Sequence, residues 1–134
     1  MTAVPPTSAT ILVVDDQPEM AQLVARHLVR DGYHALIALS GADARRHLVN
    51  VPDLVLLDVL MPDANGLDLC REIKASPATA LVPVVLVTAL DDKEDRIRGI
   101  EAGCDEFLTK PVHPGELRAR VRSLLHLQQT RRAL

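Results

Sequence analysis

Five short apolar runs alternate along the chain with segments whose apolar residues recur at helical spacing. The runs are Ile11–Val14, Ala35–Leu39, Leu54–Leu57, Val84–Val87 and the shorter Phe107–Leu108. The first, third and fourth are unbroken, with no polar residue at alternate positions. A parallel strand covered on both faces reads this way. In the first helical segment Met20, Leu23, Val24 and Leu28 fall on one face. Pro18 lies near its start and Gly32 just past its end, the asymmetry expected of helix termini. The second segment spans about Gly41–Val49, with Pro52 after it. The third runs from Gly66 to Ala75, with Leu67, Cys70 and Ile73 in register. The fourth covers Lys93–Ala102, with Ile97 and Ile100 expected inward and Gly103 as the stop. The fifth begins near Pro114 and aligns Leu117, Val121, Leu124 and Leu125.

Five strand–helix units in 134 residues predict one α/β domain, a doubly wound five-stranded parallel sheet with helices on both faces. Residues 1–9 (MTAVPPTSA) read as a flexible lead-in and 10–127 as the folded unit. Residues 128–134 lose the apolar face and read as a helical extension or the start of a linker.

Composition narrows the function classes. The net charge is −3 and the aromatics are Tyr33 and Phe107 alone, which gives neither a basic footprint nor stacking platforms for nucleic acid. Cys70 and Cys104 stand apart from any CxxC or Cys/His cluster. They read as small packing residues in a reducing cytosol rather than as zinc ligands or a disulfide. No signal peptide is apparent at the N-terminus, and no apolar run approaches the length of a membrane span.

In a doubly wound fold the ligand crevice lies outside the carboxyl ends of the strands. The residues there are Asp15 and Asp16 after the first run, Asp58 after the third, Thr88 after the fourth, and Thr109 and Lys110 after the fifth. Taken singly, each is most simply a turn, cap or solvated residue. Taken together, three carboxylates on one rim repel one another and call for a cation. Oxygen donors of this hardness suit Mg²⁺ or Ca²⁺, with Lys110 as a further compensating charge. A carboxylate can act as a nucleophile toward phosphorus, while a metal and a lysine neutralise phosphoryl oxygens.

The strings ILVVDD, LVLLDVLMPDANG, VVLVTAL and DEFLTKP, in that order and at that spacing, resemble the CheY-like receiver family over residues 10–127. The stretch VVLVTALDDKEDRIRGIEAGCDEFLTKPV is especially similar to the first receiver of PleD-type diguanylate cyclases, although no GGDEF signature occurs here. The resemblance implies a flavodoxin-like three-layer sandwich with strand order 2-1-3-4-5. It implies a phosphoacceptor at Asp58 and an Mg²⁺ (or Mn²⁺) site made by Asp16 directly, Asp15 through water, Asp58 and the backbone carbonyl of Leu60. Thr88 matches the switch hydroxyl, Ala89 the small residue beside it, Lys110 the phosphate-binding lysine and Phe107 the rotating aromatic. Pro111 falls where the family commonly has a cis peptide.

The implied partners are a sensor histidine kinase or phosphotransfer protein and a second copy through the face of the fourth helix, fifth strand and fifth helix; any output domain would lie beyond Leu134, the alternative being a single-domain regulator. Neither direct nucleic-acid contact nor a membrane is implied, and the expected location is cytoplasmic. In this family the residues two places after the acceptor and two after the switch hydroxyl flank the approach of hydrolytic water. Here they are Leu60 and Leu90, which predict a long-lived phosphoryl group. Two alternatives remain at this point. One is a haloacid-dehalogenase-like phosphatase, disfavoured because Leu60 stands where that family has a second Asp. The other is a degenerate receiver that only mediates protein contacts.

Overall fold

The five apolar runs assemble into a single parallel sheet whose strands, numbered by position in the chain, lie in the order 2-1-3-4-5. The structure, a computed structural model, describes residues 9–89 and 93–133. The strands are β1 (Thr10–Val14), β2 (His34–Ala38), β3 (Leu54–Asp58), β4 (Val84–Thr88) and β5 (Glu106–Thr109). Each is followed by a helix: α1 (Pro18–Arg30), α2 (Gly41–Leu48), α3 (Gly66–Ala75), α4 (Lys93–Glu101) and α5 (Pro114–Ala133). Every residue of β3 and β4 is buried, as their unbroken apolar runs require of central strands.

The edge strand β2 sits one residue earlier than its apolar run. The Thr10↔His34 to Val14↔Ala38 register fixes its ends, and the Asp15 N–H then donates to Ala38 O at 3.1 Å. Leu39 is left beyond the ladder and is exposed. At the opposite end of the sheet the Asp53 carboxylate accepts the Thr10 N–H at 2.8 Å, which starts β1 one residue before Ile11.

Side chains alternate across the pleat and build two cores. Leu12, Val14, Val55, Leu57, Val84 and Leu86 pack under α2, α3 and α4. Ile11, Val13, Leu54, Leu56, Val85 and Val87 pack under α1 and α5 with Leu28, Leu117, Val121 and Leu125. Cys70 lies in the first core and Cys104 packs against it; burial pushes their thiols up to about 11 and about 12. Both are therefore protonated and inert, the packing role expected of them.

Two helices turn differently from the sequence expectation. On α1 the buried residues are Ala21, Ala25 and Leu28, while Leu23 is exposed. The helix lies close to the sheet on its alanines, and the bulky Leu23 is displaced outward. On α4 the buried residue is Gly99, and Ile97 and Ile100 point to solvent at 47% and 67% exposure. The Phe107 ring fills the space under α4: a Cβ on Gly99 would lie 2.6 Å from Phe107 Cε1 and 2.9 Å from Leu86 Cδ1. The helix can approach only through a residue without a side chain.

On α5, Arg118 pairs with Asp31 at 3.2 Å and Arg120 with Glu106 at 3.2 Å. These arginines tie the helix to its neighbours rather than forming a free basic face. Gln128, one of the residues expected to lose the apolar pattern, is buried.

Candidate functional site

The carboxyl ends of β1, β3, β4 and β5 meet at one rim because all five strands run the same way. Asp58 is the last residue of β3 and Thr88 the last of β4. Asp15 and Asp16 follow β1, and Lys110 follows β5. One carboxylate oxygen each from Asp15, Asp16 and Asp58 lies within 4.8 Å of the other two. Asp15 and Asp58 are buried and Asp16 is half-buried.

Lys110 reaches into this group. Its Nζ stands 3.1 Å from Asp58 Oδ2 and 3.3 Å from Asp15 Oδ2. The remaining oxygens are partly occupied from the backbone: Leu60 N–H donates to Asp58 Oδ1 at 3.3 Å, and Gln17 N–H donates to Asp15 Oδ1 at 2.9 Å. Burial raises the Asp58 carboxyl above its usual range. Lys110 opposes the rise, and the Asp15 charge adds to it. Burial works against the Lys110 ammonium, but the Asp58 and Asp15 carboxylates outweigh it and hold its pKa above the ordinary value. The two directions are consistent, because one ammonium cannot neutralise three carboxylates. The cluster retains negative charge, and its hard oxygen donors fit a small divalent cation.

The flanking residues are placed as follows. Thr88 is buried in register with Thr109, and its carbonyl accepts the Lys110 N–H at 2.8 Å. Ala89, next to it, is exposed. The Lys110–Pro111 peptide is cis. The Leu60 side chain points to solvent while its backbone pairs with Asn65 in an isolated bridge. Phe107 is half-buried on β5 and lies under Gly99 of α4. Leu90 lies outside the described residues.

Glycine makes this geometry feasible at one further point. Gly66 N–H donates to Val59 O at 2.8 Å, which folds the loop after Asp58 back on β3. A Cβ at Gly66 would collide with the Asp58 carbonyl oxygen and lie 2.8 Å from Val59 Cα. Asp63 is a residue that sequence reasoning passed over. Its carboxylate crosses from this loop to the first amides of α2. Nothing in the local pattern signals a partner 22 positions earlier in the chain.

The model of the response regulator receiver domain matches residues 11–122. The chain belongs to the response regulator receiver family. As a receiver domain of two-component systems it is 46% identical over 118 residues to the response regulator PleD of Caulobacter vibrioides, covering 87% of this chain and 26% of that protein. It is 40% identical over 121 residues to the transcriptional regulatory protein GltR of Pseudomonas aeruginosa, covering 90% of this chain and 50% of that one. The receiver thus spans from about a quarter to half of these curated relatives.

Among solved structures, a putative response regulator from Chloroflexus aurantiacus superposes with a TM-score of 0.85 at 36% identity, covering 89% of this chain and 98% of that one. The BeF3-activated DrrB receiver domain does so with a TM-score of 0.81 at 34% identity, with the same coverage. Membership in this family sets aside the phosphatase alternative. No helix among the described residues is long and apolar enough to cross a membrane.

Proposed function

We propose that Asp58 is the phosphoryl acceptor of this receiver, and that a sensor histidine kinase or phosphotransfer protein is the donor. The observation that carries this reading is the convergence of three carboxylates and one lysine on the C-terminal edge of the sheet. In the transfer an Asp58 carboxylate oxygen forms a bond to phosphorus while the phosphorus–nitrogen bond of the donor's phosphohistidine breaks. Asp16, Asp15, Asp58 and the Leu60 carbonyl are the groups that would hold Mg²⁺ (or Mn²⁺). When bound, the ion offsets negative charge on the phosphoryl oxygens.

Lys110 is already aimed at the acceptor and holds its proton, so it can pair with an incoming phosphoryl oxygen without reorganisation. Thr88 supplies a hydroxyl at the end of the adjacent strand, and the small Ala89 leaves room beside it. Pro111 fixes the chain direction after Lys110. The phosphoryl group draws Thr88 inward and lets Phe107 repack, which biases the α4–β5–α5 face toward a partner-binding state.

This activity is regulatory: the domain takes part in its own phosphorylation and dephosphorylation rather than turning over a substrate. Residues 10–127 form the receiver, and 128–134 extend its last helix or begin a linker. The α4–β5–α5 face pairs two copies, and the protein works in the cytoplasm without direct nucleic-acid contact. The test is incubation with Mg²⁺ and acetyl phosphate, followed by intact-mass measurement. One base-labile phosphoryl group is expected on the parent and none on Asp58→Asn. Equal labelling of Asp58→Asn overturns the acceptor assignment, and no labelling of the parent favours a degenerate receiver.

A further inference from the structure

Asp63 lies three residues past Leu60, at the tip of the loop between β3 and α3. Its Oδ1 accepts the Gly41 N–H at 3.0 Å and its Oδ2 the Ala42 N–H at 3.3 Å. These amides open α2, where N–H groups have no partner within the helix and the helix dipole favours an anion. Ser40 Oγ takes the next amide, that of Asp43, at 3.0 Å. The N-terminus of α2 is therefore capped jointly by its own serine and by a residue of the acceptor loop. The Asp63 carboxyl is held below its usual range, first by the Gly41 hydrogen bond. The approach is close: a Cβ on Gly41 would lie 2.6 Å from Ala64 Cβ.

Among the described residues, other ties of this loop sit near its ends. Gly66 N–H binds Val59 O, Leu60 bridges to Asn65, and Asn65 Oδ1 caps Leu67 N–H at 2.8 Å. Pro62 offers no N–H to hold the tip. Met61 packs against the core, and Asp63 supplies a polar anchor on the far side of the tip. α2 is itself braced against α3 by the paired bonds from Arg45 to Glu72, both 3.0 Å. The loop is thus clamped to a fixed element.

We propose that Asp63 is a positioning residue for the divalent cation: by clamping the loop tip to α2 it holds the Leu60 carbonyl at the Asp15–Asp16–Asp58 cluster. This rests on the proposed cation site, with the Leu60 carbonyl as one of its ligands. Its effect is reciprocal, as for any two linked equilibria: the clamp strengthens cation binding, and the cation tightens the clamp.

The experiment is calorimetric titration of Mg²⁺ into the parent, Asp63→Ala, Asp63→Asn and Gly41→Ala, each at low salt and at about 0.3 M salt, where surface charge is screened. Asp63→Ala is expected to bind about tenfold more weakly at both salts, the low end of what groups holding a metal ligand in place contribute. Asp63→Asn loses the charge but keeps an acceptor for Gly41 N–H, so it should stay within about twofold of the parent. Gly41→Ala leaves every charge in place and pushes the loop away, so it too should bind more weakly. Amide exchange at Gly41 and Ala42 should slow when Mg²⁺ is added to the parent and stay unchanged in Asp63→Ala. Melting in chelator checks that each variant is folded. Parent-like affinity in Asp63→Ala or in Gly41→Ala overturns the clamp. So does equal weakening of the Asn and Ala variants that vanishes at high salt, since that is a charge effect alone. A parent that does not bind Mg²⁺ refutes the cation reading itself; a parent that binds while all variants match it refutes only the clamp.

Discussion

Asp58 is a buried carboxylate facing another carboxylate, and its pKa is raised, first by burial and against the pull of Lys110. The sign of its stability contribution follows. Well above the folded-state pKa both folded and unfolded chains are ionised, and the unfavourable burial of charge is fully felt. As pH falls through the folded value, the folded state takes up a proton before the unfolded state does. The cost is then relieved, and it is gone below the ordinary value of 3.8. In chelator, Asp58→Asn should melt a few degrees higher than the parent at pH 7, and that advantage should shrink toward pH 4. Denaturant titrations at several pH values check this; an advantage that grows on acidification would contradict it. That Asp15, Asp16, Asp58 and Lys110 share a rim was legible because each lies within two residues of the end of an apolar run, and parallel strands place such residues together. Asp63 was not legible, since a loop aspartate carries no local mark of an amide cap on another helix.

Strand positions were readable to within about a residue, because continuous apolar runs have no competing explanation in a central sheet. Helix faces were less so. Reading α1 and α4 by their bulkiest residues placed Leu23, Ile97 and Ile100 inward, whereas close packing selected Ala21, Ala25 and Gly99. A glycine in mid-helix costs about 1 kcal/mol relative to alanine, so its presence in α4 was the available signal of a packing reason. The structure supplies that reason in the Phe107 ring. Gly99→Ala should gain in helix propensity but lose more by overpacking, for a net destabilisation of roughly 1–2 kcal/mol. Because Phe107 is the sole phenylalanine, ¹³C-phenylalanine labelling yields a single ring to follow by NMR. The ring resonances should move in Gly99→Ala without any phosphoryl group. Unmoved resonances with unchanged stability would mean that α4 and the ring are not in tight contact. Ile97 and Ile100, left outward by this packing, are free to form part of the proposed partner face.

At the scale of the molecule, the site exists only when the chain is folded. Its carboxylates come from residues 15, 16 and 58 and its ammonium from residue 110, which the 2-1-3-4-5 strand order brings to one edge. Strand order is a non-local property; local periodicity implied five units, and the family resemblance supplied their arrangement. A cation bound at this edge has no equivalent site in the unfolded chain, so binding must raise the stability of the whole domain. At free Mg²⁺ of about 100 times its dissociation constant the gain is roughly 2.7 kcal/mol. For a domain of this size that corresponds to a rise in Tm of about 10 °C. Asp16→Ala should lose most of the rise, since Asp16 is assigned the direct contact. Asp15→Ala should keep more of it, because the Asp15 carboxylate is already engaged by Lys110 and by the Gln17 N–H. Calorimetric melts of the three proteins across a Mg²⁺ series test this order. A rise in Asp16→Ala equal to that of the parent would remove Asp16 from the cation site while leaving Asp58 as a candidate acceptor.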